Sequence, residues 1–295
     1  MKIITFMFQN KEKAGFLHGD TVTEVLELDG TPISSVLDLI DVAGGDTMSG
    51  MDLKKLANCK TGDAFSVEEV AFLAPIPWPR RNLFCLGMNY ADHAKEVSFT
   101  DKEEKPEVPK FPVYFSKLAF PASPDQSQLL YQEELTKMLD YEVELAVIIG
   151  RDGKDIPLAE AMDYVFGYTI ANDVSARNLQ GKHGQWFKGK SVDGYAPMGP
   201  YILTADEMGD PSDLQLQCYV NDELRQNANT RDMVFTIAEV ISDLSKGLTL
   251  RKGDIILTGT PAGVGLGFKP YRFLNPGDVV RCKIDKLGEL TTYIV

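Results

Sequence analysis

The sequence predicts a β-rich α+β fold, and three observations lead to this class. Strand-like segments are numerous, strong helical patterns are few, and Gly, Pro, Asn and Asp separate the strands throughout. Too few helices alternate with the strands for a doubly wound sheet. The 295 residues suffice for one small and one large domain. We therefore expect a β-sandwich or roll covered by a few helices.

The first part of the chain, residues 1–73, is predicted to form a small N-terminal α+β domain. It offers a strand, a turn, a second strand and a helix that begins near Pro32, in the order KIITFMF, LHGD, TVTEVLEL and PISSVLDLI. The stretch APIPWPRRN follows, and its three prolines force extended backbone and exclude a helix. We place the domain boundary there, so that residues 74–295 form the larger domain.

Strands dominate the larger domain. The predicted strands are NLFCLG, VYFS, ELAVIIG, FGYTIAND, GPYILT, LQCYVN, GDIILTG and DVVRCKID. One clear helix, TIAEVISDLSKG, lies between them. Thr236 and Glu239 form a capping-box pattern at its start, apolar residues follow at helical spacing, and Gly247 stands where a helix should end.

Composition excludes several classes of protein. The net charge of −13 argues against a nucleic-acid or anionic membrane partner, because such partners require clustered Lys and Arg. The four cysteines form no CxxC pair, which favours a reduced, cytoplasmic compartment. The segment MKIITFMFQNKEK at the start contains an apolar run that is too short for a signal peptide. No apolar stretch of the sequence reaches the length of a membrane span. We expect a soluble protein.

The segment DYEVELAVIIG presents a buried strand that begins with two carboxylates. Glu142 and Glu144 are separated by one residue, so in a strand both side chains project from the same face. Like charges side by side repel unless water, a cation or a shared proton relieves them. A strand end with a solvated acidic face is the simpler alternative.

A third carboxylate, Asp173, ends the apolar strand of YTIANDVSARNLQ. It can serve as the N-cap of the helical turn that follows, which is the ordinary role of such an Asp. Alternatively, it joins Glu142 and Glu144 in a site for a hard divalent cation, since three carboxylates without a thiolate suit Mg²⁺ or Mn²⁺, or Ca²⁺ as a substitute. Both interpretations stay open on these residues alone.

Two further segments carry candidate charges. Lys188 and Lys190 alternate in FKGKSVDGYAPMGP, and either one is a solvated lysine or a stabiliser of an oxyanion. His93 precedes Glu96 by three residues, so the pair can form a general base on a helical turn or an ordinary surface pair. The glycine-rich LTGTPAGVG lacks the P-loop pattern but can offer hydroxyl and backbone N–H groups to a carboxylate.

Five segments in this order resemble the motifs of the fumarylacetoacetate hydrolase family: GMNYADHAKE, DYEVELAVIIG, GYTIANDVSARNLQ, GKSVDGYAPMGP and LTGTPAGVG. The resemblance covers residues 75–295. It implies a mixed β-sandwich roll, a homodimer, and Mg²⁺ or Mn²⁺ bound by the matching Glu142, Glu144 and Asp173. Met88 departs from the pattern, because many relatives have a basic residue there, and this removes an anchor for a distal substrate carboxylate.

The resemblance also implies which residues act on the substrate. A catalytic dyad of His93 and Glu96 is expected on a mobile lid over residues 91–112, with Lys190 facing the substrate. Contacts to the substrate are expected from Arg177, Gln180 and Thr260.

The family's substrates are mainly small 2-oxo acids, such as acylpyruvates, fumarylpyruvate and oxaloacetate. We therefore predict a divalent-metal-dependent C–C bond hydrolase in which the cation stabilises the enolate that leaves, while His93 activates water. Oxaloacetate decarboxylation and isomerisation of a 2-hydroxy-diene-dioate use the same enolate and stay open. A non-enzymatic metal-binding protein is disfavoured, because it would have no need of His93, Glu96 and Lys190.

Overall fold

The computed structural model describes residues 1–45, 51–96 and 108–295. In these ranges the strands are β1 Lys2–Phe8, β2 Lys11–His18, β3 Thr21–Leu28, β4 Thr31–Pro32, β5 Lys60–Ser66, β6 Ala71–Phe72, β7 Leu83–Gly87, β8 Val113–Lys117, β9 Ser127–Leu129, β10 Leu139–Asp140, β11 Val143–Ile149, β12 Val165–Asn172, β13 Ser175–Ala176, β14 Met198–Thr204, β15 Gln215–Val220, β16 Glu223–Asn229, β17 Ile255–Leu257, β18 Val279–Ile284 and β19 Gly288–Ile294. The α-helices are α1 Val36–Ala43, α2 Ala91–Glu96, α3 Arg177–Lys182, α4 Phe187–Lys190, α5 Ala205–Met208 and α6 Ile237–Leu244. Short 3₁₀ helices cover Leu53–Asn58, Val67–Glu69, Leu158–Tyr164, Thr230–Asp232 and Gly265–Gly267.

Two sheets organise the described part of the chain. The larger has the order β4-β3-β2-β1-β14-β12-β11-β17-β7-β8, with β5 paired to β3 and β6 paired to β1. The second has the order β16-β15-β18-β19-β9, and β10 pairs with β13. Both sheets are mixed, because β17 runs parallel to β7 and β19 parallel to β9 while the neighbouring pairs are antiparallel. The β-rich α+β class predicted from the sequence is confirmed.

Strand β11 lies between two apolar cores. Leu145 and Val147 pack in the core that includes the second sheet, whereas Ala146 packs in the core that includes helix α1 and the N-terminal strands. Alternate side chains of a strand point to opposite faces. Glu142, just before the strand, and Glu144 have the parity of Ala146 and project from that second face.

The N-terminal strands are continuous with the large sheet, because β1 pairs with β14. Helix α1 begins after Ser35 and therefore later than the predicted start at Pro32, which lies in β4. The Ser35 hydroxyl accepts the Asp38 N–H and the Asp38 carboxylate accepts the Ser35 N–H, and this capping box fixes the start. The division of the chain into domains at residues 73 and 74 stays a prediction.

Helix α6 has the predicted cap and the predicted apolar face. Thr236 is the N-cap, and the Glu239 carboxylate accepts its N–H at 2.8 Å. Gly247 follows the helix with a φ of +71°, a conformation that favours glycine. Among the described residues, no helix is both long and apolar enough to cross a membrane.

Candidate metal centre and active site

Glu142, Glu144 and Asp173 meet at one buried site. One carboxylate oxygen of each lies within 4.8 Å of the other two, and the residues are 4%, 1% and 0% exposed. The antiparallel pairing of β11 with β12 brings them together, since Val143 opposes Asn172 and the Asp173 N–H donates to the Glu142 carbonyl at 2.9 Å. The alternative of a solvated acidic strand end is therefore wrong.

Asp173 does not cap the helix that follows it. The N-cap of α3 is Ala176, which offers no side-chain hydrogen bond. The Asp173 carboxylate contacts two buried ammonium groups instead: its Oδ2 lies 2.7 Å from Lys190 Nζ, and its Oδ1 lies 2.7 Å from Lys117 Nζ. Lys190 Nζ also donates to Glu142 Oε2 at 2.6 Å. Lys190 thus faces the carboxylates, whereas Lys188 is exposed.

Burial and neighbouring charges shift the pKa values of Glu142 and Glu144 in opposite directions. Burial raises the pKa of Glu144 well above its ordinary value, and the charges of Asp173 and Glu142 raise it further. Burial also raises the pKa of Glu142, but the charges of Lys190 and Arg177 outweigh this and lower the pKa to about 2. Three buried oxygen donors with one carboxylate left uncompensated fit a hard divalent cation.

Arg177 links Glu142 of the carboxylate site to Asp140 and Gln180. Its Nε donates to Asp140 Oδ2 at 2.8 Å, and its Nη1 lies 2.8 Å from Glu142 Oε1 and 3.0 Å from Gln180 Oε1. Its Nη2 is buried and has no hydrogen-bond partner among the described residues. A buried cationic donor without a partner is costly, so Nη2 is a candidate contact for an anionic ligand.

His93 and Glu96 form a contact on helix α2, as the spacing predicts. His93 is 6% exposed, and its Nδ1 lies 3.4 Å from Glu96 Oε2. Both Glu96 oxygens accept the Gly263 N–H at 3.0 Å. A Cβ at Gly267 would lie only 1.8 Å from Glu96 Oε1, so glycine at this position leaves room for the Glu96 carboxylate. The pair is therefore not an ordinary surface pair, since the glycine-rich loop holds Glu96.

The same loop supports the carboxylate site. The Gly259 N–H donates to Glu144 Oε2 at 2.6 Å, so loop N–H groups bind carboxylates of the protein itself. The Thr260 hydroxyl donates to the Val143 carbonyl at 3.0 Å and accepts from Gln226 Nε2 at 2.7 Å. A contact of Thr260 with substrate stays a prediction.

A cavity of about 20 Å³ lies at the centre of these groups. It is lined by Leu86, Gly87, Met88, His93, Phe115, Glu142, Glu144, Arg177, Gln180, Trp186, Lys190 and Thr260. Every predicted site residue except Glu96 and Asp173 lines it, and these two contact His93 and Lys190. Such a volume holds about one water molecule. Residues 97–107 of the predicted lid lie outside the described residues.

Sequence reasoning missed four buried polar residues that support the site: Asn89, Lys117, Asp140 and Gln226. Lys117 ends an apolar strand, and Asp140 stands two residues before Glu142, so both carried a weak signal. Asn89 donates to the Thr258 carbonyl at 2.8 Å, and Gln226 Oε1 accepts the Val143 N–H at 3.0 Å. Nothing in the spacing of Asn89 or Gln226 indicated these contacts.

Comparison with known proteins identifies the family of this chain. The family model described as "Fumarylacetoacetate (FAA) hydrolase C-terminal" matches residues 82–295. The chain belongs to the fumarylacetoacetate hydrolase family. This member is 45% identical over 230 residues, 78% of this chain and 75% of the relative, to oxaloacetate tautomerase YisK of Bacillus subtilis strain 168.

Solved structures of the family share the fold along the whole chain. A fumarylacetoacetate hydrolase from psychrophilic Exiguobacterium antarcticum has a TM-score of 0.82 and 36% identity, covering 100% of this chain and 99% of that one. A 5-carboxymethyl-2-hydroxymuconate delta-isomerase from Mycobacterium smegmatis has a TM-score of 0.76 and 30% identity, with the same coverage. Related chains of one fold thus carry names of different reactions, so the reaction must be argued from the site.

Proposed function

We propose that this family member is a divalent-metal-dependent enzyme that interconverts the keto and enol forms of oxaloacetate or a similarly small 2-oxo acid. The observation that carries the proposal is its 45% identity to an oxaloacetate tautomerase. The buried carboxylates beside Lys190 and His93 support it, because they suit enolate chemistry. Tautomerisation thereby takes precedence over the hydrolysis predicted from the sequence.

Glu142, Glu144 and Asp173 would hold the cation, Mg²⁺ or Mn²⁺ with Ca²⁺ as a substitute. When bound, the cation supplies Lewis-acid polarisation of the 2-oxo group. Arg177 would bind the 1-carboxylate through Nη2, the donor that lacks a protein partner. Gln180 is oriented by Arg177, which donates to its Oε1, so the amide N–H group of Gln180 can donate to the same carboxylate.

Lys190 would stabilise the negative charge of the enolate, and His93 would transfer the proton. Lys190 Nζ, held by Glu142 and Asp173, adds positive charge near the 2-oxo oxygen as this becomes an enolate oxygen. His93, positioned by Glu96, takes a proton from C3 and returns it on the reverse reaction. The C3–H electron pair moves into the C2–C3 bond and the C2=O π pair moves onto the oxygen. The proton taken by His93 then passes to that oxygen, directly or through water, to give the enol.

C–C bond hydrolysis of acylpyruvates is the second candidate. It is favoured by the buried His93 beside a cavity that holds about one water molecule. There His93 would deprotonate water for attack at C4, with pyruvate enolate as leaving group. Decarboxylation of oxaloacetate and isomerisation of a 2-hydroxy-diene-dioate need the same stabilised enolate, so the assay must include them.

The test compares these reactions in one preparation. We expect Mn²⁺-loaded protein to accelerate the enol-to-keto conversion of oxaloacetate, followed by its ultraviolet absorbance, more than it accelerates acetylpyruvate hydrolysis or decarboxylation. His93→Gln should lower that rate about 10²-fold, the usual size of a general-base contribution. His18→Gln, on an exposed strand end far from the described site in sequence, is the matched control. Faster acetylpyruvate hydrolysis than tautomerisation would make the second candidate correct instead.

A homodimer is proposed as the assembly. Exposed apolar side chains are consistent with a protein partner, since Trp78 and Phe120 are 47% and 69% exposed and stack edge to face at 5.0 Å. Light scattering after size exclusion should report twice the chain mass of 32.7 kDa, and a monomer at all concentrations would contradict this.

A further inference from the structure

The charged groups of the site do not account for the apolar part of the cavity lining. The cavity of about 20 Å³ is smaller than any 2-oxo acid. Its charged lining accounts for a 1-carboxylate and a 2-oxo group. Among the described residues, the remaining large side chains of the lining are apolar, and we expect them to meet the part of the ligand beyond C3: Leu86, Met88, Phe115 and Trp186.

Trp186 is closely packed within this wall. A Cβ at Gly87 would lie 2.2 Å from Trp186 Cζ3 and 2.6 Å from Cη2, so the indole rests on the bare backbone of Gly87. Phe115 meets the indole edge to face, with centroids 5.2 Å apart. Lys190 Nζ lies 5.3 Å from the Phe115 ring centroid. The catalytic lysine, Phe115 and Trp186 thus form one continuous contact series.

The residues that precede Trp186 differ from it in exposure and packing. Residues 181–185 are exposed. A Cβ at Gly181 or Gly184 would meet nothing within 4 Å, and Gly184 has a φ of +69°. Lys190, by contrast, is fixed by its ion pairs with Glu142 and Asp173. Trp186 therefore lies between exposed residues and a lysine held by ion pairs. Because the cavity of about 20 Å³ must widen to admit a 2-oxo acid, Trp186 is a candidate for the side chain that moves.

We propose that Trp186 is a specificity-determining residue that limits the length of the substrate beyond C3. The indole admits 2-oxo acids with a small group at C4 and excludes longer chains, and it moves against Gly87 and Phe115 when a ligand enters. This inference rests on the proposed function, since it assumes that the charged lining binds the 2-oxo acid head.

Ligand binding tests the length limit without turnover. Titration calorimetry of Mn²⁺-loaded protein should give dissociation constants for oxalate, pyruvate and 2-oxohexanoate. Trp186→Ala should improve 2-oxohexanoate binding relative to pyruvate by about tenfold or more, since single methylenes in a pocket discriminate on this scale. Oxalate, which has no atoms beyond the head group, should bind nearly as before. Trp186→Phe should give a smaller change of the same sign and serves if the alanine variant does not fold.

Fluorescence tests the movement of the indole. The chain has two tryptophans, Trp78 and Trp186. Trp78 is 47% exposed and is not among the residues that line the cavity. In Trp78→Phe protein the emission reports Trp186 alone, and pyruvate added to the Mn²⁺-loaded protein should shift or quench it.

The outcomes separate the two claims. Bound oxalate, with unchanged chain-length preference in both Trp186 variants and no emission change, would overturn this inference and leave the proposed function intact. Failure of Mn²⁺-loaded wild-type protein to bind oxalate would overturn the proposed function and this inference with it.

Discussion

Lys117 and Asp173 form an ion pair in which neither side chain is exposed, with Nζ 2.7 Å from Oδ1. The same Nζ donates to the Val174 carbonyl at 2.9 Å and to the Lys190 carbonyl at 2.6 Å. One ammonium group therefore joins the end of β8, the segment after β12 and helix α4. The segment after β12 carries Asp173 and helix α4 carries Lys190, so this ammonium group ties together two parts of the site.

Lys117→Met should destabilise the metal-free protein by about 3 kcal/mol, because removing one partner of a buried pair leaves the other poorly compensated. Urea unfolding in chelator measures this free energy. Lys137→Met, which breaks an exposed pair with Glu133, should change it little. If both substitutions lowered the unfolding free energy equally, the buried ion pair would contribute no more to stability than the exposed one. Partial recovery in the Lys117→Met, Asp173→Asn double variant is also expected.

Glu144→Gln should remove tight divalent-cation binding and leave the fold intact. Among the lysines that the structure describes, none forms an ion pair with Glu144, whose carboxylate accepts the Gly259 N–H. The isosteric amide therefore disturbs little besides the ligand oxygen. We expect Mn²⁺ affinity to fall by at least about 100-fold, since even residues behind metal ligands contribute 10- to 100-fold. Glu133→Gln is the control, because the Glu133 carboxylate is exposed and pairs with Lys137 instead of the buried site. Wild-type Mn²⁺ affinity in Glu144→Gln protein would refute the three-carboxylate site.

The pKa of Glu144 predicts how metal-free stability depends on pH. This pKa is raised in the folded state, first by burial and then by Asp173 and Glu142. The folded state therefore binds the proton more tightly than the unfolded state, and this contribution to stability is lost as pH rises above the ordinary value of 4.5. As the pH rises above 4.5, the unfolding free energy of wild-type protein in chelator should decline relative to that of Glu144→Gln protein. Parallel pH profiles of the two proteins would contradict the raised pKa.

Gly267→Ala should damage catalysis more than folding. The added Cβ would lie 1.8 Å from Glu96 Oε1, and the flexible end of Glu96 can move aside at small cost. His93 then loses its carboxylate partner, so the turnover rate should fall while Mn²⁺ binding and unfolding free energy stay close to those of the wild type. Gly181→Ala is the matched control, because its Cβ would meet nothing within 4 Å. Undiminished turnover in Gly267→Ala would show that Glu96 is not needed in its observed position.

Local patterns were enough to predict much of the fold. The predicted strand ELAVIIG corresponds to β11 and the predicted helix with Thr236 and Glu239 to α6, because apolar periodicity and capping depend on near neighbours in the chain. The short strands β4, β6, β9, β10 and β13 were missed, and among strands longer than three residues so were β2, β5, β16 and β19. Strand β5 is polar and almost entirely exposed, so its order comes from pairing with β3 and not from an apolar face of its own.

The candidate site also combines relations that local sequence patterns predict with relations that depend on tertiary structure. Alternation along one strand was sufficient to place Glu142 and Glu144 on one face, and a spacing of three was sufficient to bring His93 to Glu96, since both relations lie within one element. Spacing left Lys188 and Lys190 equivalent, and only the resemblance to the family motifs pointed to Lys190. The buried ion pair of Lys117 with Asp173 and the contacts of the glycine-rich loop with Glu96 were decided only by tertiary structure. Each joins residues distant in the chain, and whether a charged side chain is buried or solvated depends on what packs against it.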